Sequence, residues 1–83
     1  MSEKMTPEQI RAARALLKWS ARELAEKVGL GLTTIQRMEN EAGLESALNK
    51  NVNAVKKALE EGGVEFIPEN GGGAGVRFKK PKT

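Results

Sequence analysis

The chain of 83 residues has no cysteine, histidine, aspartate or tyrosine, only one tryptophan and two phenylalanines, and three prolines. Without cysteine there is no disulfide framework and no thiolate chemistry. Without cysteine, histidine or aspartate the usual zinc ligands and general bases are missing, which leaves serine, threonine, lysine, arginine and glutamate. An enzyme is therefore not expected, and neither is a cofactor or a metal site. No apolar run approaches the roughly 20 residues that cross a bilayer, so no membrane partner is expected. The opening MSEKMTPEQ lacks the apolar core of a signal peptide, which makes a cytoplasmic location the expectation.

What is present is the composition of an ordinary globular domain, 39% hydrophobic and 30% charged. A core drawn from so short a chain is modest, and association with another chain would add to its stability. The net charge is +3, yet Arg77, Lys79, Lys80 and Lys82 hold four of the 14 basic residues, so residues 1–76 carry ten basic against eleven acidic side chains. The basic excess sits in the tail. That is compatible with nucleic-acid binding and equally with a solvated end.

Punctuation divides the first 63 residues into helices. Thr6, Pro7 and Gln9 form a start signal, with a cap, a proline at the first helical position and a capping-box partner three residues on. Ile10, Ala13, Leu16 and Leu17 then recur at helical spacing, and the helix runs to about Lys18. Ser20 and Glu23 repeat the capping box, Leu24, Ala25 and Val28 form an inward stripe, and Gly29 closes the helix. Gly31 caps a third helix in which Ile35 and Met38 face inward, leaving Thr33, Gln36, Arg37 and Asn40 outward. Leu44, Ala47 and Leu48 suggest a short helical turn. Asn51 or Asn53 would cap a last helix with Val52, Val55, Ala58 and Leu59 on its apolar face, stopped by Gly62 and Gly63.

The remainder, residues 64–83, changes character. Val64–Ile67 and Val76–Lys79 alternate as strands around Pro68 and a glycine-rich loop. Placing Phe66 opposite Val76 sets Val64 opposite Phe78 and Glu65 opposite Arg77, giving one apolar and one ion-paired face in a single register. A lone hairpin is marginal in water. It must pack on the last helix or join a second chain, and pairing across a two-fold dimer through Val64, Phe66, Ile67, Val76 and Phe78 is the favoured expectation. Residues 1–63 are thus read as a helical domain and 64–83 as a hairpin and basic tail serving dimerisation.

Two short helices joined by a glycine-bearing turn, the second with a polar outer face, suit the major groove of double-stranded DNA, which admits a helix and shows a distinct pattern at each base pair. Arg37 has the fork for guanine O6 and N7, Gln36 can serve adenine or a phosphate, Thr33 and Thr34 suit bases or backbone, and Leu32 a thymine methyl. The same residues also fit a merely solvated helix face, and the motif occurs in folds that bind nothing. The run Ser20-x-x-Glu23-Leu24-Ala25-x-x-x-Gly29-Leu30-x-x-x-x-Ile35-x-Arg37-Met38-Glu39-Asn40 resembles the Cro/repressor (XRE) helix-turn-helix family. The first helix and the ending GVEFIPENGGGAGVRFKK resemble a group of short bacterial regulators.

The resemblance implies a mainly α, lambda-repressor-like five-helix domain with a C-terminal two-stranded β-hairpin, acting as a homodimeric, sequence-specific transcriptional regulator and repressor. It places base contacts on Leu32, Thr33, Gln36 and Arg37, with Thr34 and Asn40 near phosphates. It also pairs Arg14 with Glu39 as a structural ion pair. Three positions depart from the family pattern. Ala21 replaces a common DNA-contacting glutamine, so that Arg22 is expected to take that contact. Gly31 replaces a serine or threonine cap, and Glu41 stands where a glycine usually follows the third helix, which would then run over about 32–42. A reading from another class is an antitoxin-like or adaptor module that uses its C-terminal strands on a protein partner.

Overall fold

The computed structural model describes residues 5–80. The basic Lys82 of the tail lies outside them. Five helices are followed by two strands: α1 (Pro7–Leu17), α2 (Ala21–Val28), α3 (Leu32–Met38), α4 (Glu41–Glu45), α5 (Asn49–Gly62), β1 (Val64–Ile67) and β2 (Gly75–Phe78). Five helices followed by a two-stranded antiparallel hairpin is the arrangement that the resemblance implies.

The first two helices start and stop where local chemistry says they should. Thr6 caps α1 and Ser20 caps α2, each in a complete capping box with Gln9 and Glu23 respectively, so that orphan N–H groups at both starts are satisfied from within four residues of chain. Lys18 (φ 59°) and Gly29 (φ 73°) end them in the left-handed region.

The third helix is shorter than expected. It ends at Met38, with Glu39 as its C-cap, and after an extended Asn40 the chain turns into the separate five-residue α4. Gly43 makes that turn possible: a Cβ placed on it would lie 2.0 Å from the carbonyl oxygen of Arg37. The glycine therefore permits α4 to lie against the end of α3 rather than stopping a longer helix. The start of α5 also differs from the expected Asn51 or Asn53 cap. Helix α5 begins at Asn49 after an extended Leu48, with no side-chain cap bond. Its far end is shaped by packing, since a Cβ on Gly62 would come within 2.7 Å of the Trp19 ring.

Every helix except α4 sends buried residues into one core: Ile10 and Ala13, Leu24 and Ala25, Ile35 and Met38, and Val55 and Leu59, together with Met5 and the strand residue Val64. Leu44 of α4 packs against it partly buried. Each fully buried side chain of the Ile or Leu size contributes roughly 1.5–3 kcal/mol, so α2, α3 and the C-terminal strands are held by the same burial.

The hairpin is antiparallel in the register read from its alternation, Val64 with Phe78, Glu65 with Arg77, Phe66 with Val76 and Ile67 with Gly75. Its apolar face turns inward. Val64 is fully buried, and Phe66, Val76 and Phe78 pack half-buried against the core. The outer face carries the Arg77–Glu65 pair at 2.9 Å. Gln9 fastens the hairpin to α1: while its Oε1 accepts from the Thr6 amide, its Nε2 donates to the carbonyls of Ile67 (3.3 Å) and Gly75 (2.9 Å).

Two expectations for the hairpin change accordingly. Val64, named as a dimer contact, has no surface to offer a partner, and Phe66, Val76 and Phe78 are used in the chain's own core. The marginal hairpin is stabilised by α1 and α5 of the same chain. Among the five named residues, Ile67 alone lies on the outer face of the sheet, on the side of Glu65 and Arg77, because side chains alternate along a strand.

Candidate nucleic-acid interface

Helix α3 divides cleanly. Ile35 and Met38 are 1% and 2% exposed and share one buried core with Leu24 and Ala25 of α2, while Thr33, Gln36 and Arg37 are exposed and Leu32 and Thr34 half-buried. An α-helix repeats every 3.6 residues, so positions 33, 36 and 37 form one outward face. No hydrogen bond or ion pair to another described residue engages the Arg37 guanidinium. A planar five-donor fork standing free at the surface is available to a bidentate acceptor.

The N-cap of α3, Gly31, makes no side-chain cap bond. The opening amides of α3 therefore lack the protein oxygen that Thr6 and Ser20 supply to their own helices. Arg22 is exposed in the first turn of α2, two residues after its cap. Asn40 is exposed as well, but its side chain is occupied, with Nδ2 donating to the Gln36 carbonyl at 2.9 Å. That bond closes the end of α3 and leaves only the amide oxygen and one N–H for an outside group.

The fixed part of the interface lies beneath it. Glu39, 8% exposed, receives Arg14 in a two-pronged contact: Nε to Oε2 at 2.6 Å and Nη2 to Oε1 at 3.0 Å. The third nitrogen of the same guanidinium donates to the Trp19 carbonyl at 3.1 Å. One arginine of α1 thus ties together the end of α3 and the turn before α2. Arg11, one turn earlier on α1, donates Nη1 to the main-chain carbonyl of Glu39. The sequence reading gave Arg11 no role. The available signal was its spacing of three residues from Arg14, which puts both on one side of α1.

The lysines around the motif are less committed. Lys27 stands over the Trp19 ring at 4.6 Å, a cation–π contact that also covers the tryptophan. Among the described residues no buried side-chain nitrogen or oxygen is without a hydrogen-bond partner, so no orphaned group points to an unseen ligand inside the fold. No helix among them is long and apolar enough to cross a membrane.

The sequence profile of the helix-turn-helix family matches residues 10–50, a span that runs from the first turn of α1 to the start of α5 and contains Arg11, Arg14 and the residues of α2 and α3 just described. The chain carries a helix-turn-helix domain of the Cro/repressor (XRE) type. This family is one of DNA-binding regulators. No curated protein matches the chain. In DNA-binding helix-turn-helix domains the second helix is the one placed in the major groove, and in this chain α3, with its free Arg37 fork, holds that second position. The hairpin lies beyond the matched span.

Proposed function

We propose that the protein is a sequence-specific DNA-binding transcriptional regulator acting as a homodimer, with α3 in the major groove. The observation that carries this reading is the division of α3 itself: an inner edge locked into the core, and an outer edge of Thr33, Gln36 and Arg37 with the arginine unengaged. Arg37 would read guanine, Gln36 adenine or a phosphate, and Leu32 a thymine methyl. Thr33 and Thr34 would take base or backbone contacts. Arg22 and Asn40 would take phosphates on either side, fixing register without carrying sequence information.

A two-fold dimer places its recognition helices at half-sites one helical turn apart, about 34 Å. With Val64, Phe66, Val76 and Phe78 turned toward the chain's own core, assembly through the hairpin would draw on the strand edges and on Ile67. Repression results if the site overlaps a promoter.

Selection of bound duplexes from a random pool tests the reading, with a palindromic consensus of that spacing as the expected result and no enriched motif as the result against it. On the selected site, Arg37→Ala should weaken binding by roughly 1–3 kcal/mol and relax preference at one base pair. An adaptor without sequence preference would lose nothing at that substitution.

A further inference from the structure

We infer that Arg11 is a positioning residue for DNA reading: it sets the joint between α3 and α4, and through it the placement of Gln36, Arg37 and Asn40. The inference rests on the reading of α3 as the recognition helix.

Glu39 is the C-cap of α3, and its carbonyl is among the last of that helix, where no intrahelical N–H remains to bond it. The Arg11 guanidinium supplies the missing donor and puts a positive charge at the negative end of the helix. It does so from α1, 28 residues away in sequence, beside the Arg14 contact to the carboxylate of the same residue. Glu39 is therefore gripped at both its main chain and its side chain by two guanidinium groups one turn apart on α1. Arg11 is steadied in turn by Glu8, 3.8 Å away.

The joint itself has little slack. The Asn40 amide donates to the Arg37 carbonyl at 3.1 Å, the Asn40 side chain closes on Gln36, and Gly43 lies so close to the Arg37 carbonyl that a Cβ there has no room. Each of these contacts ties α3 to the segment Asn40–Gly43 that opens α4. Arg11 joins the main chain of this unit to α1, and its loss leaves the Arg14 contact to the Glu39 side chain as the polar tie between the joint and α1. An exposed arginine on this side of a DNA-binding domain would otherwise be read as a phosphate contact. The two roles differ in their effects: a phosphate contact contributes equally on every sequence and adds to the salt dependence, whereas a positioning contact acts on discrimination.

The test uses the full chain with Arg11→Met, which keeps the apolar stem without the donor, and Arg11→Lys, which keeps a charge and a donor. Affinity is measured on the selected site and on an unrelated duplex across a range of salt. For Arg11→Met, the ratio of specific to non-specific affinity should fall about tenfold, with non-specific affinity and its salt slope unchanged and with partial recovery in Arg11→Lys. A drop in both affinities with a shallower salt slope and an unchanged ratio would make Arg11 a phosphate contact and overturn the inference.

A second measurement needs no DNA. Amide hydrogen exchange in Arg11→Met should quicken at Asn40 to Leu44 while α5 keeps its protection, and unchanged protection there overturns the proposal. A wild-type protein without any preferred site would instead count against the reading of α3, leaving the exchange result to decide the joint.

Discussion

Helices α1 and α2 differ from α3 and α4 in where their stability comes from. The first pair each open with a complete capping box and close on a left-handed residue, so their ends are satisfied by residues within one turn. The second pair, seven and five residues long, have no side-chain cap bond at either start. Isolated helices of that length do not hold in water. Helix α3 persists because Ile35 and Met38 are buried and because two arginines of α1 hold its C-terminal end. The element proposed to face DNA thus belongs to the pair that cannot stand alone, and its geometry is set by its neighbours.

The sharpest way to break that contrast is Glu39→Ala, which strands the half-buried Arg14 guanidinium and releases the end of α3. The expected loss is about 3–5 kcal/mol in urea unfolding, and a loss below roughly 1 kcal/mol would mean that α3 does not depend on α1 in the way described. Next in size is Gly43→Ala. Its Cβ would meet backbone atoms of Arg37 at 2.0 and 2.6 Å, which cannot swing away as a flexible side chain would, and about 2 kcal/mol should be lost by the same measurement. An unchanged midpoint would show that the α3–α4 joint has room after all.

The smallest effect has the opposite sign. Gly31 has φ −72° and ψ 153°, a conformation any residue adopts, and the nearest atom to an added Cβ is Thr34 Oγ1 at 3.9 Å. Gly31→Ser should therefore supply the missing cap and stiffen the unfolded chain, raising stability by ~0.5–1 kcal/mol. No gain would mean that the absent cap is not one of the reasons why α3 is weak.

The same contrast explains how much could be read from the sequence. The boundaries of α1 and α2, and the register of the hairpin, are written in neighbouring residues: cap and partner three apart, alternation with period two. The end of α3 and the start of α5 are not. They depend on Gly43 meeting Arg37 and on an extended Leu48, contacts that no local pattern announces.

For the interface, outward placement of Thr33, Gln36 and Arg37 followed from helical period alone. The pairing of Arg14 with Glu39 came only with the family resemblance, and the Arg11 contact to the Glu39 carbonyl came with neither. The inward turn of Val64, Phe66, Val76 and Phe78 was hidden for a related reason. Alternation shows that a strand has an apolar face, but not which surface that face meets.

Gln9 carries a consequence of its own. A capping-box residue is ordinarily interchangeable between glutamine and glutamate, since either oxygen accepts from the cap amide. Here the other end of the side chain gives protons to two hairpin carbonyls, and a carboxylate has none to give. With Glu in its place the start of α1 would still close, yet a negative charge would face Ile67 and Gly75 at 5% exposure. The first turn of α1 and the hairpin are therefore joined through one amide, and a substitution that looks neutral from the helix would be felt in the sheet.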